Sequence, residues 1–250
     1  MTKRIAIHSF RGGTGKSNFT ANLAVALSSK GKNVGTVDLD LKAPGLHVIF
    51  DVPSKGLKWR LNDYLFRRCE AHDIVTDLTE HLGIKSGRLH FIPASFKLDD
   101  VLRIIEKGYE VSHFNKGISE IADELNLDYL LIDNHPGIGE DVVLAISMSD
   151  FLVELMRIDQ QDLTGAYISL AIASKLGKDS YLLINLVPRG GEPYIKELIE
   201  KTLNEPIIGV IPFFEDIMIS RSKGVFSLRH PDHPYAKVIE EIAGRIITEL

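Results

Sequence analysis

Short apolar runs recur along the chain, and between them apolar positions return every three or four residues. The runs have the length of buried strands, and the intervening period is that of helices packed on one face. Alternation in this order predicts an α/β fold, a doubly wound and mostly parallel sheet with helices on both faces. Strands are expected at residues 4–8, 33–38, 89–92, 129–132, 151–156, 180–184 and 206–211. Helices are expected at 18–27, 61–65, 98–106, 118–125, 165–176, 194–203 and from about 235 to 250. Between Pro53 and Gly87, proline, glycine and charge mix without a clean period. No repeat, low-complexity tract or linker cuts the chain, so one domain over residues 1–250 is expected.

Composition narrows the class. A chain of 250 residues that is 44% hydrophobic buries a sizeable core. Its net charge of −5 gives no general attraction to nucleic acid or anionic lipid, so DNA binding is not indicated. Cys69 is the only cysteine. It forms no internal disulfide and cannot by itself hold zinc or an iron–sulfur cluster, which points to a reduced, cytoplasmic setting. The start of the chain lacks the apolar stretch of a secretory signal, and no run reaches membrane-spanning length.

The candidate chemistry lies at the strand ends. After the first strand come Phe10-Arg11-Gly12-Gly13-Thr14-Gly15-Lys16-Ser17, and a helix then opens at Asn18. Glycines let the backbone approach a polyphosphate, and the amides of the loop and first helical turn point at the anion. Lys16 is placed to reach the β- and γ-phosphates and Ser17 to ligate Mg²⁺. The second strand ends in Val37-Asp38-Leu39-Asp40, where an open parallel sheet binds its ligands. If that strand continues, both carboxylates face the nucleotide. The run Tyr129-Leu130-Leu131-Ile132-Asp133 delivers a third carboxylate to the metal side. His135 is read as a hydrogen-bonded spectator in the following turn, and His230 and His233 as loop residues before the last helix.

The glycine loop resembles the deviant Walker A loop of the MinD/ParA family, whose pattern is Lys-Gly-Gly-x-Gly-Lys-Ser/Thr, with Arg11 at the signature lysine. Asp40 followed by Pro44-Gly45, and Asp133 followed by Pro136-Gly137, resemble the family's switch and γ-phosphate-sensing turns. The resemblance covers nearly the whole chain. It implies a P-loop ATPase with ATP and Mg²⁺ as ligands. Residues Gly12, Gly13, Thr14, Gly15, Lys16, Ser17 and Asn18 would hold the nucleotide, Ser17, Asp38 and Asp133 the metal, and Asp40 the attacking water. Asn185, after the strand 180–184, and Pro212 in Gly209-Val210-Ile211-Pro212 would flank adenine. An Asn-Lys-x-Asp guanine motif is not found, so ATP is favoured over GTP.

The resemblance also implies an ATP-dependent homodimer in which Arg11 reaches across to the partner's phosphates, to accelerate hydrolysis or only to hold the dimer. Its guanidinium is a planar fork where lysine offers a point charge. The function implied is a spatial-positioning or regulatory switch that hydrolyses ATP and meets a protein regulator or cargo adaptor. Two alternatives stand beside it, a nucleotide-gated adaptor with little hydrolysis and a synthase of the dethiobiotin synthetase type. Metal-cluster carriers are disfavoured by the lone Cys69, and the family's tyrosine kinases by the missing tyrosine-rich tail. The last helix mixes glutamates with its apolar face, a pattern that packs on a core, so membrane binding is not expected without a partner. Residues 159–162 lie where the family builds partner contacts, or serve only as a helix cap, with Asp162 a candidate for capping.

Overall fold

The structure, a computed structural model, describes residues 1–53 and 56–250. Its frame is an eight-stranded sheet in the order β3-β4-β2-β5-β1-β6-β7-β8. The strands are β1 (Lys3–His8), β2 (Asn33–Asp38), β3 (Thr76–Asp77), β4 (Arg88–Ile92), β5 (Tyr129–Asp133), β6 (Phe151–Met156), β7 (Asp179–Val187) and β8 (Ile207–Pro212). All pairs are parallel except β3 with β4. β1 sits at the centre between β5 and β6, and its Ile5, Ala6 and Ile7 are wholly buried. Strands buried on both faces need no polar alternation, which is why they read as unbroken apolar runs.

Helices cover both faces. On one, α1 (Lys16–Ser29) and α11 (Pro234–Glu249) bury Phe19, Leu23, Ile239 and Ile242 in a cluster with Ile5, Leu131 and Val153. On the other, α4 (Leu98–Lys107) and α5 (Val111–Glu124) bring Ile104, Phe114 and Ile118 against Val37, Leu130 and Ile132. Ala166 and Leu170 of α7 (Gln160–Lys175) pack with Met156, Leu182 and Ile184. The other α-helices among the described residues are α2 (Leu46–Ile49), α3 (Leu61–Leu65), α6 (Glu140–Met148), α8 (Glu192–Leu203), α9 (Glu215–Ile219) and α10 (Phe226–Arg229).

Every expected strand and helix is present, with several boundaries moved. α5 starts at Val111, well before the expected residue 118. The two-residue β3 carries too little pattern to be read, and its pairing with β4 makes it a strand. α6 escaped notice because it follows a glycine turn and buries only Val142, Ala145 and Ile146. α7 begins at Gln160, and Asp159 is its cap, its carboxylate accepting from the amides of Gln161 and Asp162. Asp162 lies inside the helix, so the expected start near 163–165 and the expected cap both shift upstream.

Candidate functional site

Between the end of β1 and the start of α1 the chain wraps a cavity of about 260 Å³. Ser9, Arg11, Gly12, Gly13, Thr14, Gly15, Lys16, Ser17, Asn18, Asp40 and Pro136 line it. Gly13 and Gly15 have φ of 79° and 91°, the left-handed region that glycine enters without strain. A Cβ at Gly15 would also collide with the Asn185 amide. Among the described residues no side chain caps α1, and its first turn carries no acid. The free amides there leave the positive end of the helix to an anion.

Two buried strand-end carboxylates stand behind this lining, outside it. Asp133, buried at the end of β5, accepts from Lys16 Nζ at 3.1 Å and from Thr20 Oγ1 at 2.8 Å through Oδ1. Its Oδ2 is buried and has no hydrogen-bond partner among the described residues. Asp38 is also wholly buried, and its carboxylate accepts from the amides of Asp40, Gly45 and Leu46. Burial, reinforced by the nearby Asp133, pushes the Asp38 carboxyl up to about 7.

β2 stops at Asp38, so the expected alternation that would turn Asp38 and Asp40 the same way is not realised. Asp40 stands at the cavity wall, where its Oδ1 accepts from the Ala43 amide at 2.9 Å. Arg11 lines the cavity too, and its Nη1 lies 3.3 Å from Asp159 Oδ1 and 3.7 Å from Asp162 Oδ1. Arg157 binds the same two aspartates, making a four-membered network at the start of α7. Asn18 donates to Ser222 Oγ at 3.1 Å. Asn185 donates to the Thr14 carbonyl at 2.7 Å and so braces the loop from β7. Pro212 ends β8 opposite Val187, and neither it nor Asn185 lines the cavity. His135 is half-buried in the turn after β5, with its imidazole lowered by burial.

Sequence reasoning passed over Thr20, which shares Asp133 with Lys16, and His8 and Glu154, which meet behind the loop. The carboxylate inside the apolar run Phe151–Met156 was the available signal for the last pair.

The donors present suit Mg²⁺. A hydroxyl at Ser17 and carboxylates at Asp38 and Asp133 are hard oxygen ligands, and the unpartnered Oδ2 of Asp133 offers a lone pair to a metal-bound water. No three His, Cys, Asp or Glu side chains converge among the described residues. Mg²⁺ would suit such a site, since it is commonly held by one or two carboxylates and keeps several waters.

A family model for ParA, described as an NUBPL iron-transfer P-loop NTPase, matches residues 1–156. An uncharacterized ATP-binding protein of Methanocaldococcus jannaschii is 30% identical over 249 residues, 99% of this chain and 88% of that protein. The septum site-determining protein MinD of Helicobacter pylori is 30% identical over 260 residues, 98% of this chain and 90% of its own length. Among solved structures, MinD of Pyrococcus horikoshii complexed with Mg-ADP superposes with a TM-score of 0.83 at 21% identity, over 99% of this chain and 97% of that one. No helix among the described residues is long and apolar enough to cross a membrane. Glycine loop, strand-end carboxylates, sheet order and sequence agree, and the chain belongs to the ParA family of P-loop NTPases.

Proposed function

We propose that this chain is a cytoplasmic Mg-ATP hydrolase of the MinD/ParA kind, a switch between an ATP-bound homodimer and an ADP-bound monomer that positions or regulates a protein cargo. The observation that carries the reading is one cavity bounded by the loop from Gly12 to Ser17, with Arg11, Lys16 and Asp40 in its lining and Lys16 bound to the buried Asp133 behind it. Loop amides and the α1 N-terminus bind the phosphates. Ser17, Asp38 and Asp133 are the residues that would hold Mg²⁺, which when bound neutralises charge on the β- and γ-phosphate oxygens. Asp40 orients the attacking water. Arg11, with five donors in a planar fork, completes the site of the second copy once it leaves Asp159. Asn185 and Pro212 remain the proposed adenine contacts, and Asn18 a further nucleotide contact at the start of α1. The septum site-determining relative supports the positioning role.

The test is mass and ATP turnover measured together in Mg-ATP for wild type, Lys16→Ala, Asp40→Ala and Arg11→Ala. An ATP-dependent dimer that survives in Asp40→Ala without turnover, and is lost in Arg11→Ala and Lys16→Ala, is the expected pattern. A monomer under all conditions, or fast turnover independent of protein concentration, overturns it. Dimerisation without turnover in wild type would select the adaptor reading.

A further inference from the structure

One pair of buried ionisable side chains lies behind the phosphate loop. His8 ends β1 and Glu154 sits in β6, and the parallel register pairs them. Both are wholly excluded from solvent. His8 Nδ1 is 2.7 Å from Glu154 Oε2, and His8 Nε2 is 2.7 Å from the carbonyl oxygen of Gly137. A carbonyl oxygen only accepts, so Nε2 carries a proton. The Nδ1 contact needs one more, on the ring or on the carboxyl, and in either form the pair is net neutral. That neutrality makes a buried pair tolerable between two central strands.

Gly137 belongs to the turn after Asp133. Its N–H donates to the Ser9 carbonyl at 3.3 Å while its own carbonyl accepts from His8, so both polar groups of one peptide residue are tied to the end of β1. His8 also faces α7, with Ser169 Oγ 3.3 Å from Nδ1. Two residues on, the Phe10 ring fills the space above Gly165, and Arg11 then meets Asp159 and Asp162. Residues 8, 10 and 11 therefore run along α7 from its middle to its cap.

We propose that His8, oriented by Glu154, is a positioning residue for the nucleotide response: it holds the Gly137 carbonyl in register with α7, so that displacement of this turn by a γ-phosphate reaches the helix whose start holds Arg11. The proposal rests on the ATPase reading for its trigger, but the resting contact stands without nucleotide. An apolar pair would serve the core equally well, since replacing a buried ion pair by hydrophobic residues of similar size is often neutral or stabilising. Only the polar pair gives the Gly137 carbonyl a donor.

Hydrogen exchange of the whole chain, read on the peptide covering residues 134–139 and on residues 160–169, tests this first without nucleotide. The double variant His8→Leu with Glu154→Leu removes the contact without stranding a charge, and it is expected to exchange about tenfold faster in the turn, the factor one ordinary hydrogen bond allows. His8→Asn keeps a donor for Glu154 but is too short for Gly137, and it gives the same loosening if the double variant does not fold. Glu154→Gln still orients the ring through its amide and is expected to exchange as wild type does. Wild-type exchange in the double variant or in His8→Asn overturns the proposal, and so does loosening in Glu154→Gln equal to theirs. A second comparison, Mg-AMPPNP against Mg-ADP, is expected to change protection in both peptides of wild type and only in the turn of His8→Asn. Coupling that survives in His8→Asn overturns the proposal. No difference between the two nucleotides in wild type would instead count against the ATPase reading, with the nucleotide-free result unaffected.

Discussion

Lys16 Nζ donates to Asp133 Oδ1 at 3.1 Å, so the lysine expected to grip phosphate is bound to the carboxylate expected to support the metal. Both side chains are buried, at 7% and 1% exposure. The Lys16 ammonium has three donors, so a phosphate bound by Lys16 would share the group with Asp133 or compete with it.

Removing the lysine therefore has two separable effects. Lys16→Ala leaves Asp133 as a buried charge held by Thr20 alone, which costs about 3 kcal/mol of stability. Lys16→Gln keeps a donor and loses about 1 kcal/mol. Both variants lose a charge-assisted phosphate contact, so ADP binding weakens by about 10- to 100-fold in each. Urea unfolding and fluorescent-ADP titration measure the two quantities. Equal stability of the two variants would refute the structural role of the pair.

Arg11 is held within its own chain by Asp159, but the two groups are 41% and 44% exposed. A solvated pair of this kind is worth at most about 1 kcal/mol, a factor of about five. Asp159→Asn keeps the α7 cap, because asparagine caps as well as aspartate, while removing half the charge that retains the guanidinium. The variant is expected to dimerise with Mg-AMPPNP at a concentration up to about fivefold lower than wild type, as read by sedimentation. A higher concentration requirement would show that Asp159 helps build the dimer face rather than restraining Arg11.

The sheet was legible because its strands are buried on both sides, and the loop because glycine, lysine and hydroxyl follow a strand in fixed order. Less legible was what side chains do once placed. Asp38 and Asp40 alternate in sequence like neighbours on one face, yet the strand stops between them and Asp38 turns to three backbone amides. Asn185 lies inside β7, which runs on to Val187, rather than after the strand as expected, and only the fold reveals that its amide reaches the Thr14 carbonyl. His8 and Glu154 are separated by more than half the chain and meet through β1–β6 register, which no local pattern encodes.

The iron-transfer description of the family gives Cys69 a specific test. Burial pushes its thiol up to about 11, with Asp63, Asp73 and Glu70 adding to the shift. A raised thiol pKa means less thiolate at neutral pH, and reactivity that climbs about tenfold per pH unit until near 11. Iodoacetamide is expected to modify Cys69 on the order of a hundredfold more slowly than free cysteine at pH 7.5. Anaerobic incubation with iron and sulfide is expected to leave no stoichiometric cluster on the protein. One retained cluster per dimer would overturn that and favour a carrier role.

Gly165 supplies a last test of how the loop is supported. A Cβ at this position would lie inside van der Waals contact of the Phe10 ring, one residue before Arg11. Two effects oppose each other in Gly165→Ala: helix propensity gains about 1 kcal/mol, and forcing a methyl into a filled space costs about 1 to 3 kcal/mol. The collision involves the ring's base, close to the backbone, so the ring cannot swing aside without moving the loop. We expect net destabilisation with weakened ADP binding, and recovery of both when Phe10→Leu trims the ring in the same chain. Stability above wild type in Gly165→Ala would mean that propensity wins and that α7 does not press on the loop through Phe10.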